Sequence, residues 1–136
     1  MDLTVNDLAQ ESRLPPDTVR YYARIGLIKP AGRRANGYKQ FTAEDVQRLH
    51  FIRQAKRLGF TLTEIRGIFD EAGKGASPCP LVREIIARRI EETRQQVAEL
   101  VNLQQRMESA LSQWESMPNS APDGHTVCHL IESVTV

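Results

Sequence analysis

The spacing of apolar residues over the first 72 positions has a helical period and predicts four short amphipathic helices. Each predicted start combines a capping or first-turn residue with two apolar residues that can form a hydrophobic staple. The four predicted helices span 5–11, 16–25, 42–58 and 61–72. Gly26 and Gly59 follow two of them, at the position where a left-handed residue commonly ends a helix.

The first two predicted helices are joined by a four-residue turn, which is the spacing of a helix-turn-helix. Two β-prone stretches, 27–30 and 38–41, follow and flank a loop that carries Arg33 and Arg34. A helical hairpin alone is common in proteins that bind no DNA, but a basic hairpin directly after it is typical of a wing that contacts phosphates. Residues 1–72 are therefore predicted to form a winged helix-turn-helix head.

The second half of the chain predicts one long helix over 80–116, because no Gly or Pro follows its first residue. A helix of this length extends roughly 55 Å at about 1.5 Å per residue. Its heptad pattern consists of Ile86, Ile90, Thr93, Val97, Leu100, Gln104, Met107, Leu111 and Trp114. The chain has no second long helix, so the pattern favours a coiled-coil homodimer over a helix folded onto the head.

Residues 73–79 contain two glycines and a proline and are predicted to form a hinge, and 117–136 are predicted to be a loop and tail. The predicted fold is mainly α, with a winged helix-turn-helix head followed by a long dimerisation helix.

The small net charge of +1 conceals an uneven distribution along the chain. Residues 1–58 hold 11 Lys and Arg against 6 Asp and Glu, whereas residues 59–136 hold 7 against 11. A basic front suits a protein whose front meets phosphates. Random variation of surface residues gives similar counts, so charge alone leaves DNA binding open.

The sequence also argues against several other classes of protein. No apolar run approaches the roughly 20 residues that span a bilayer, and the start lacks the features of a signal peptide. We therefore expect a cytoplasmic protein with no membrane partner. An enzyme is not predicted, because no Ser/His/Asp order, Gly-rich phosphate loop or apolar carboxylate pair is recognisable. A purely structural coiled coil would leave the basic wing without a purpose.

Five motifs in combination resemble the mercury-resistance-regulator (MerR) family of bacterial transcription activators. They are Thr-Val-Arg-Tyr-Tyr at 18–22, Ile-Gly-Leu-Ile at 25–28, Asn-Gly-Tyr-Lys-Gln-Phe at 36–41, Leu-His-Phe-Ile at 49–52 and Leu-Gly-Phe-Thr-Leu-Thr-Glu-Ile at 58–65. The resemblance implies an antiparallel homodimer on an overlong promoter spacer. Signal binding near the coiled coil then moves the heads, which bend and untwist the double-stranded DNA for RNA polymerase.

The resemblance, with the chemistry of the side chains, also implies which residues contact DNA. Arg20 on the second helix can reach a base edge or a phosphate in the major groove. Tyr21 and Tyr22 carry hydroxyl groups that can donate to phosphates, but one of the two can pack inside the head instead of contacting DNA. The expected DNA-binding residues are Thr18, Arg20, Tyr21, Tyr22, Arg33, Arg34, Tyr38 and Lys39. Many relatives carry Arg where Lys39 stands, and Lys keeps the charge but loses the bidentate fork.

The two cysteines are the candidates for sensing an effector. Cys79 stands at the start of the long helix, a position that favours the thiolate, and in relatives a Cys here marks sensors of divalent metal ions. Cys128 matches a tail Cys of those relatives, whereas Ser116 stands where a further Cys is expected. In the antiparallel dimer Cys79 is expected to meet the other subunit's effector-binding tail. The expected ligands are Cys79, Cys128, His125 and His129, with Asp123 as a weaker candidate.

Thiolate and imidazole ligands together suit Zn, Cd, Pb or Hg, so a divalent metal ion is the expected effector. The same architecture also fits a redox sensor that forms a Cys79–Cys128 disulfide between subunits, or a sensor of an organic ligand. Two buried and inert cysteines are a further alternative. His50 is interpreted as an ordinary residue of the third helix and is not counted as a ligand.

Overall fold

The computed structural model describes residues 3–30, 32–33, 37 and 39–135, except the side chains of Arg33 and Lys39. The described part of the chain is mainly helical, as predicted. Its elements are α1 (Val5–Ser12), α2 (Pro16–Arg24), β1 (Gly32–Arg33), β2 (Lys39–Gln40), α3 (Ala43–Arg57), α4 (Leu62–Gly73), α5 (Cys79–Trp114) and α6 (His129–Glu132). None of the described helices is both long enough and apolar enough to cross a membrane.

Reciprocal capping boxes begin three of the helices in the head. The Asp7 amide donates to Thr4 Oγ1 at 3.1 Å, and the Thr4 amide donates to Asp7 Oδ2 at 2.8 Å. Thr61 and Glu64 repeat this arrangement at α4, and the Thr42 amide donates to Asp45 at α3. These bonds satisfy amides that a helix leaves without intrahelical partners, which explains why the predicted starts agree with the structure.

The end of α2 turns the chain sharply into the core. Gly26 has a φ of +82°, a conformation that glycine adopts without a steric penalty. The Leu27 amide then donates to the Tyr22 carbonyl at 3.0 Å. Leu27 and Ile28 are fully buried as a result.

The prediction that 27–30 forms the first strand of the wing was therefore wrong. The β-prone apolar pair at its start is a core element, and the hairpin is formed later, by β1 and β2. The two strands are antiparallel, with Arg33 opposite Lys39 and Gly32 opposite Gln40. Leu3 forms a further antiparallel bridge with Phe41 at the base of the hairpin.

The core of the head draws on all of its helices and on the start of α5. Its buried apolar residues are Leu3, Leu8, Ala9, Val19, Tyr22, Leu27, Ile28, Phe41, Leu49, Ile52, Ala55, Phe60, Ile65, Ile68 and Ile85. Leu81, Val82 and Ile86 are partly buried against this cluster. Ile86, the first residue of the predicted heptad pattern, therefore packs against the core of the head. The chain divides into two compact units, 1–89 and 90–136, so the first turns of α5 belong to the head unit.

Candidate DNA-binding face and sensing tail

Helix α2 packs one face into the core of the head and exposes Arg20 to solvent. Val19 is fully buried and Tyr22 nearly so, whereas the Arg20 side chain is 56% exposed. The Arg20 guanidinium lies 2.7 Å from Asp17, whose side chain is 96% exposed, and Thr18 is half-buried. Because this ion pair lies at the surface, the guanidinium of Arg20 remains accessible to a ligand.

The adjacent tyrosines, which the sequence could not tell apart, have different environments. Tyr22 is 7% exposed and packs in the core of the head. Its burial, and to a lesser extent the nearby Tyr21, raise the pKa of its phenol. Tyr21 is 41% exposed, and the Arg24 guanidinium lies 5.2 Å from the centre of its ring. Tyr21 is therefore the tyrosine that α2 offers to an external partner, and a DNA contact by either hydroxyl stays a prediction.

For two of the four predicted DNA-binding residues of the wing, the structure describes backbone positions but no side chains. Arg33 and Lys39 lie on paired strands, which brings their Cα atoms opposite each other. Arg34 and Tyr38 lie outside the described residues, as do the side chains of Arg33 and Lys39. The predicted phosphate contacts of these four residues remain predictions.

A basic cleft between α1 and α3 was missed by sequence reasoning. It measures about 420 Å³ and is lined by Glu11, Ser12, Arg13, His50, Arg53, Gln54 and Arg57. Arg53 donates to the Ser12 carbonyl at 3.4 Å, which ties α3 to the end of α1. The spacing of residues 50, 53, 54 and 57 places them on one face of α3 and was the signal available in the sequence.

The two thiols occupy the starts of two helices. Cys79 is the first residue of α5 and is exposed, and its amide donates to Ser77 Oγ at 3.3 Å. Cys128 is half-buried and precedes α6 as its N-cap residue. Both thiols are free. Redox or metal chemistry is therefore open to both, whereas two fully buried and inert cysteines are not what the structure contains.

The tail around Cys128 is held by side-chain hydrogen bonds. The Asp123 carboxylate accepts from the amides of His125 at 2.6 Å and Thr126 at 2.8 Å, and these bonds lower the pKa of that carboxyl. The Glu132 carboxylate accepts from the Cys128 amide at 3.0 Å. The tail thus has a defined conformation, and Asp123 is already occupied in maintaining it.

A single chain does not complete a metal centre within the described residues, where no three Cys, His, Asp or Glu side chains converge as ligands. The donors it offers are nevertheless of the right kind. Thiols and imidazoles are the donor types that suit zinc and the softer divalent ions. His125 is exposed and His129 is half-buried.

The part of α5 in the second unit carries an uncovered apolar row. Val97, Leu100, Met107 and Leu111 are 54%, 64%, 60% and 56% exposed. Four large apolar side chains at heptad positions are an unusual surface for an isolated helix, because each exposes area that a second helix can bury.

Comparison with known proteins identifies the family. Residues 3–72 match the family model described as "MerR HTH family regulatory protein", and residues 46–110 match the model described as "MerR, DNA binding". The mercuric resistance operon regulatory protein of Bacillus cereus is 30% identical over 104 residues, which are 76% of this chain and 79% of that relative.

Solved structures agree with the fold. PbrR691 of Ralstonia metallidurans, in complex with lead(II), superposes with a TM-score of 0.76 at 21% identity, over 97% of this chain and 99% of that one. The regulator MerR of Bacillus megaterium, in complex with mercury(II), has a TM-score of 0.58 at 27% identity, over 92% and 93%. The resemblance seen in the sequence is confirmed, and this chain belongs to the MerR family of helix-turn-helix regulatory proteins, which are DNA-binding transcription regulators.

Proposed function

We propose that this protein is a metal-responsive activator that binds promoter DNA as an antiparallel homodimer and senses zinc, cadmium, lead or mercury. The observation that carries the metal response is the placement of two free thiols, one at the first residue of α5 and one at the N-cap of α6. The family is one of DNA-binding regulators, and a relative is named for mercuric resistance. These thiols are the chain's means of binding such an ion.

The dimer is supported by the exposed apolar row of α5. A second copy of the same helix would cover Val97, Leu100, Met107 and Leu111 with identical side chains. In an antiparallel pair the start of one α5 lies beside the end of the other. Cys79 of one subunit would then meet Cys128, His125 and His129 of the other, and the metal would join the two subunits.

At the promoter, Arg20 of each α2 would reach a base edge or a phosphate in the major groove, Thr18 and Tyr21 would donate to phosphates, and the wing would contact the DNA backbone. The ion, when bound, supplies strong bonds to thiolate and imidazole ligands that hold the two subunits in one arrangement. The two heads would then deform the DNA between them, and RNA polymerase would use the deformed promoter. A cytoplasmic location remains a prediction.

The deciding experiment is a metal competition series on the fully reduced protein, with coordination determined by X-ray absorption. We expect two equivalent sites per homodimer, one for each Cys79, with sulfur and nitrogen ligands and loss of binding in Cys79→Ser. Exposure of Cys79 also favours the redox alternative. A chain that binds no metal when reduced, and instead forms a reducible crosslink between subunits, would establish that alternative.

A further inference from the structure

The two imidazoles of the tail differ in how they are held. Nδ1 of His129 lies 2.7 Å from Oγ of Ser120, nine residues earlier in the chain. The ring of His125 is exposed and makes no hydrogen bond to any residue that the structure describes. His129 therefore has a fixed partner on one ring nitrogen, and His125 does not.

The partner of one ring nitrogen decides what the other nitrogen can do. A neutral imidazole carries its proton on one nitrogen and a lone pair on the other. If Nδ1–H donates to the hydroxyl, the lone pair is on Nε2 and is available to a metal ion. In the opposite tautomer Nε2 carries the proton and cannot bind a metal until that proton leaves.

We propose that Ser120 is a positioning residue for metal binding, whose Oγ accepts from Nδ1–H of His129 and leaves the Nε2 lone pair free for a divalent ion. This inference rests on the proposed function, in which His129 is a ligand. Free histidine in water favours the tautomer with the proton on Nε2, so the role of Ser120 is to reverse that preference. A hydrogen bond of this kind also fixes the plane of the ring.

The rest of the tail gives this contact a stable base. Glu132 accepts from the amides of Val127 at 3.2 Å and Cys128 at 3.0 Å, which sets the start of α6 and hence the position of His129. Asp123 closes the loop between Ser120 and α6 through the amides of His125 and Thr126. The hydroxyl and the ring are thus held together before any metal is present.

The first test measures the tautomer of His129 in the full-length, reduced, metal-free protein by long-range ¹H–¹⁵N NMR. We expect Nδ1–H in the wild type and in Ser120→Thr, which keeps the hydroxyl, and Nε2–H in Ser120→Ala. Ser133→Ala is the matched control, because Ser133 Oγ donates to the Leu130 carbonyl in the same tail and not to the His129 ring, and the backbone bond from the Ser133 amide to the His129 carbonyl is kept. Nε2–H in the wild type, or an unchanged tautomer in Ser120→Ala, would overturn the inference.

The second test titrates the same variants with zinc in competition with a chromophoric chelator. Ser120→Ala should bind zinc about 10–100-fold more weakly, whereas Ser120→Thr and Ser133→Ala should match the wild type. Equal affinity in Ser120→Ala overturns this inference and leaves the proposed function intact. Absence of binding by the wild type to zinc, cadmium, lead and mercury overturns the proposed function, and the inference with it.

Discussion

Arg20 is the side chain on which specific DNA recognition should depend most. Its guanidinium is accessible, and the pair it forms with Asp17 is of the exposed kind that adds little to stability. Arg20 can therefore exchange Asp17 for a base edge or a phosphate at small cost. We predict that Arg20→Ala weakens binding to the promoter by about 1–3 kcal/mol, measured by fluorescence anisotropy at a fixed salt concentration.

The chain offers a matched control for this substitution. Arg94 forms the same type of pair with Glu91, three residues away on the same helix, and both of these side chains are also mostly exposed. Arg94→Ala should leave promoter affinity unchanged. If Arg20→Ala also binds the promoter as tightly as the wild type, Arg20 does not contact DNA.

At the scale of single residues, sequence patterns predict only the relative positions of residues that are close along the chain. They placed Arg20, Tyr21 and Tyr22 on one helix, but the burial of Tyr22 depends on contacts with distant elements. The contact between Ser120 and His129 spans a loop, and no periodicity connects its two ends. Contacts of this kind become visible only when the fold is known.

Among the elements, helices α1 to α5 could be predicted, whereas the first strand of the wing could not and α6 lies in the predicted loop and tail. Thr4, Thr42 and Thr61 identify helix starts because a cap acts within one turn of its own residue. In the range 27–30, the apolar residues Leu27 and Ile28 are buried in the core and do not form a strand of the wing. Strand propensity largely measures fit to a half-buried surface, so Leu27 and Ile28 satisfy it equally well in the core.

The uncovered row of α5 leads to a prediction about assembly. Leu100 is 64% exposed at the centre of that row, and a charge there would be buried without a partner if a second helix covers it. We predict that Leu100→Glu gives monomers in sedimentation equilibrium. Ala98→Glu, an exposed position off the row, should remain dimeric. A dimer that survives Leu100→Glu would show that this row is not the interface.

Glu64 links α4 to α5 within the head unit. Its carboxylate accepts from the Thr61 amide at 2.8 Å and from the guanidinium groups of Arg88 and Arg89. The hydrogen bond from the Thr61 amide above all, and then the Arg89 guanidinium, lower the pKa of Glu64 below its usual 4.5. A lowered carboxyl pKa stabilises the folded state above the unfolded value, and this contribution is lost as the pH falls through the folded one.

We predict that Glu64→Gln lowers the free energy of unfolding by about 1–3 kcal/mol at neutral pH, because hydrogen bonds to a charged group are lost. The difference from the wild type should shrink in acid, as the wild-type carboxyl becomes protonated. Urea denaturation at one protein concentration measures both. Glu71→Gln, at the surface pair with Lys74, is the control and should change little. A difference that is constant with pH would contradict a role for the charge.

At the scale of the whole molecule, the proposed function assigns DNA recognition and metal sensing to different residues, so the two activities should be separable by mutation. Arg20 is on α2, whereas Cys79 begins α5 and Cys128 precedes α6. In the proposed sensor, Ser116 stands where a further Cys is expected, so metal binding would depend more heavily on Cys79, Cys128 and His129.

We predict that Cys79→Ser abolishes the response of transcription to metal but keeps the wild-type affinity for the promoter. The reason is that an exposed thiol at a helix start supports no core contact in the described residues, so its loss removes a ligand and little else. Run-off transcription with purified RNA polymerase, with and without metal, measures the response, and anisotropy on the same DNA measures affinity. Arg20→Ala should show the reverse pattern, with weak DNA binding and unchanged metal affinity. A full metal response in Cys79→Ser would place the sensor on other ligands, and a joint loss of both activities would show that the thiol supports the fold instead.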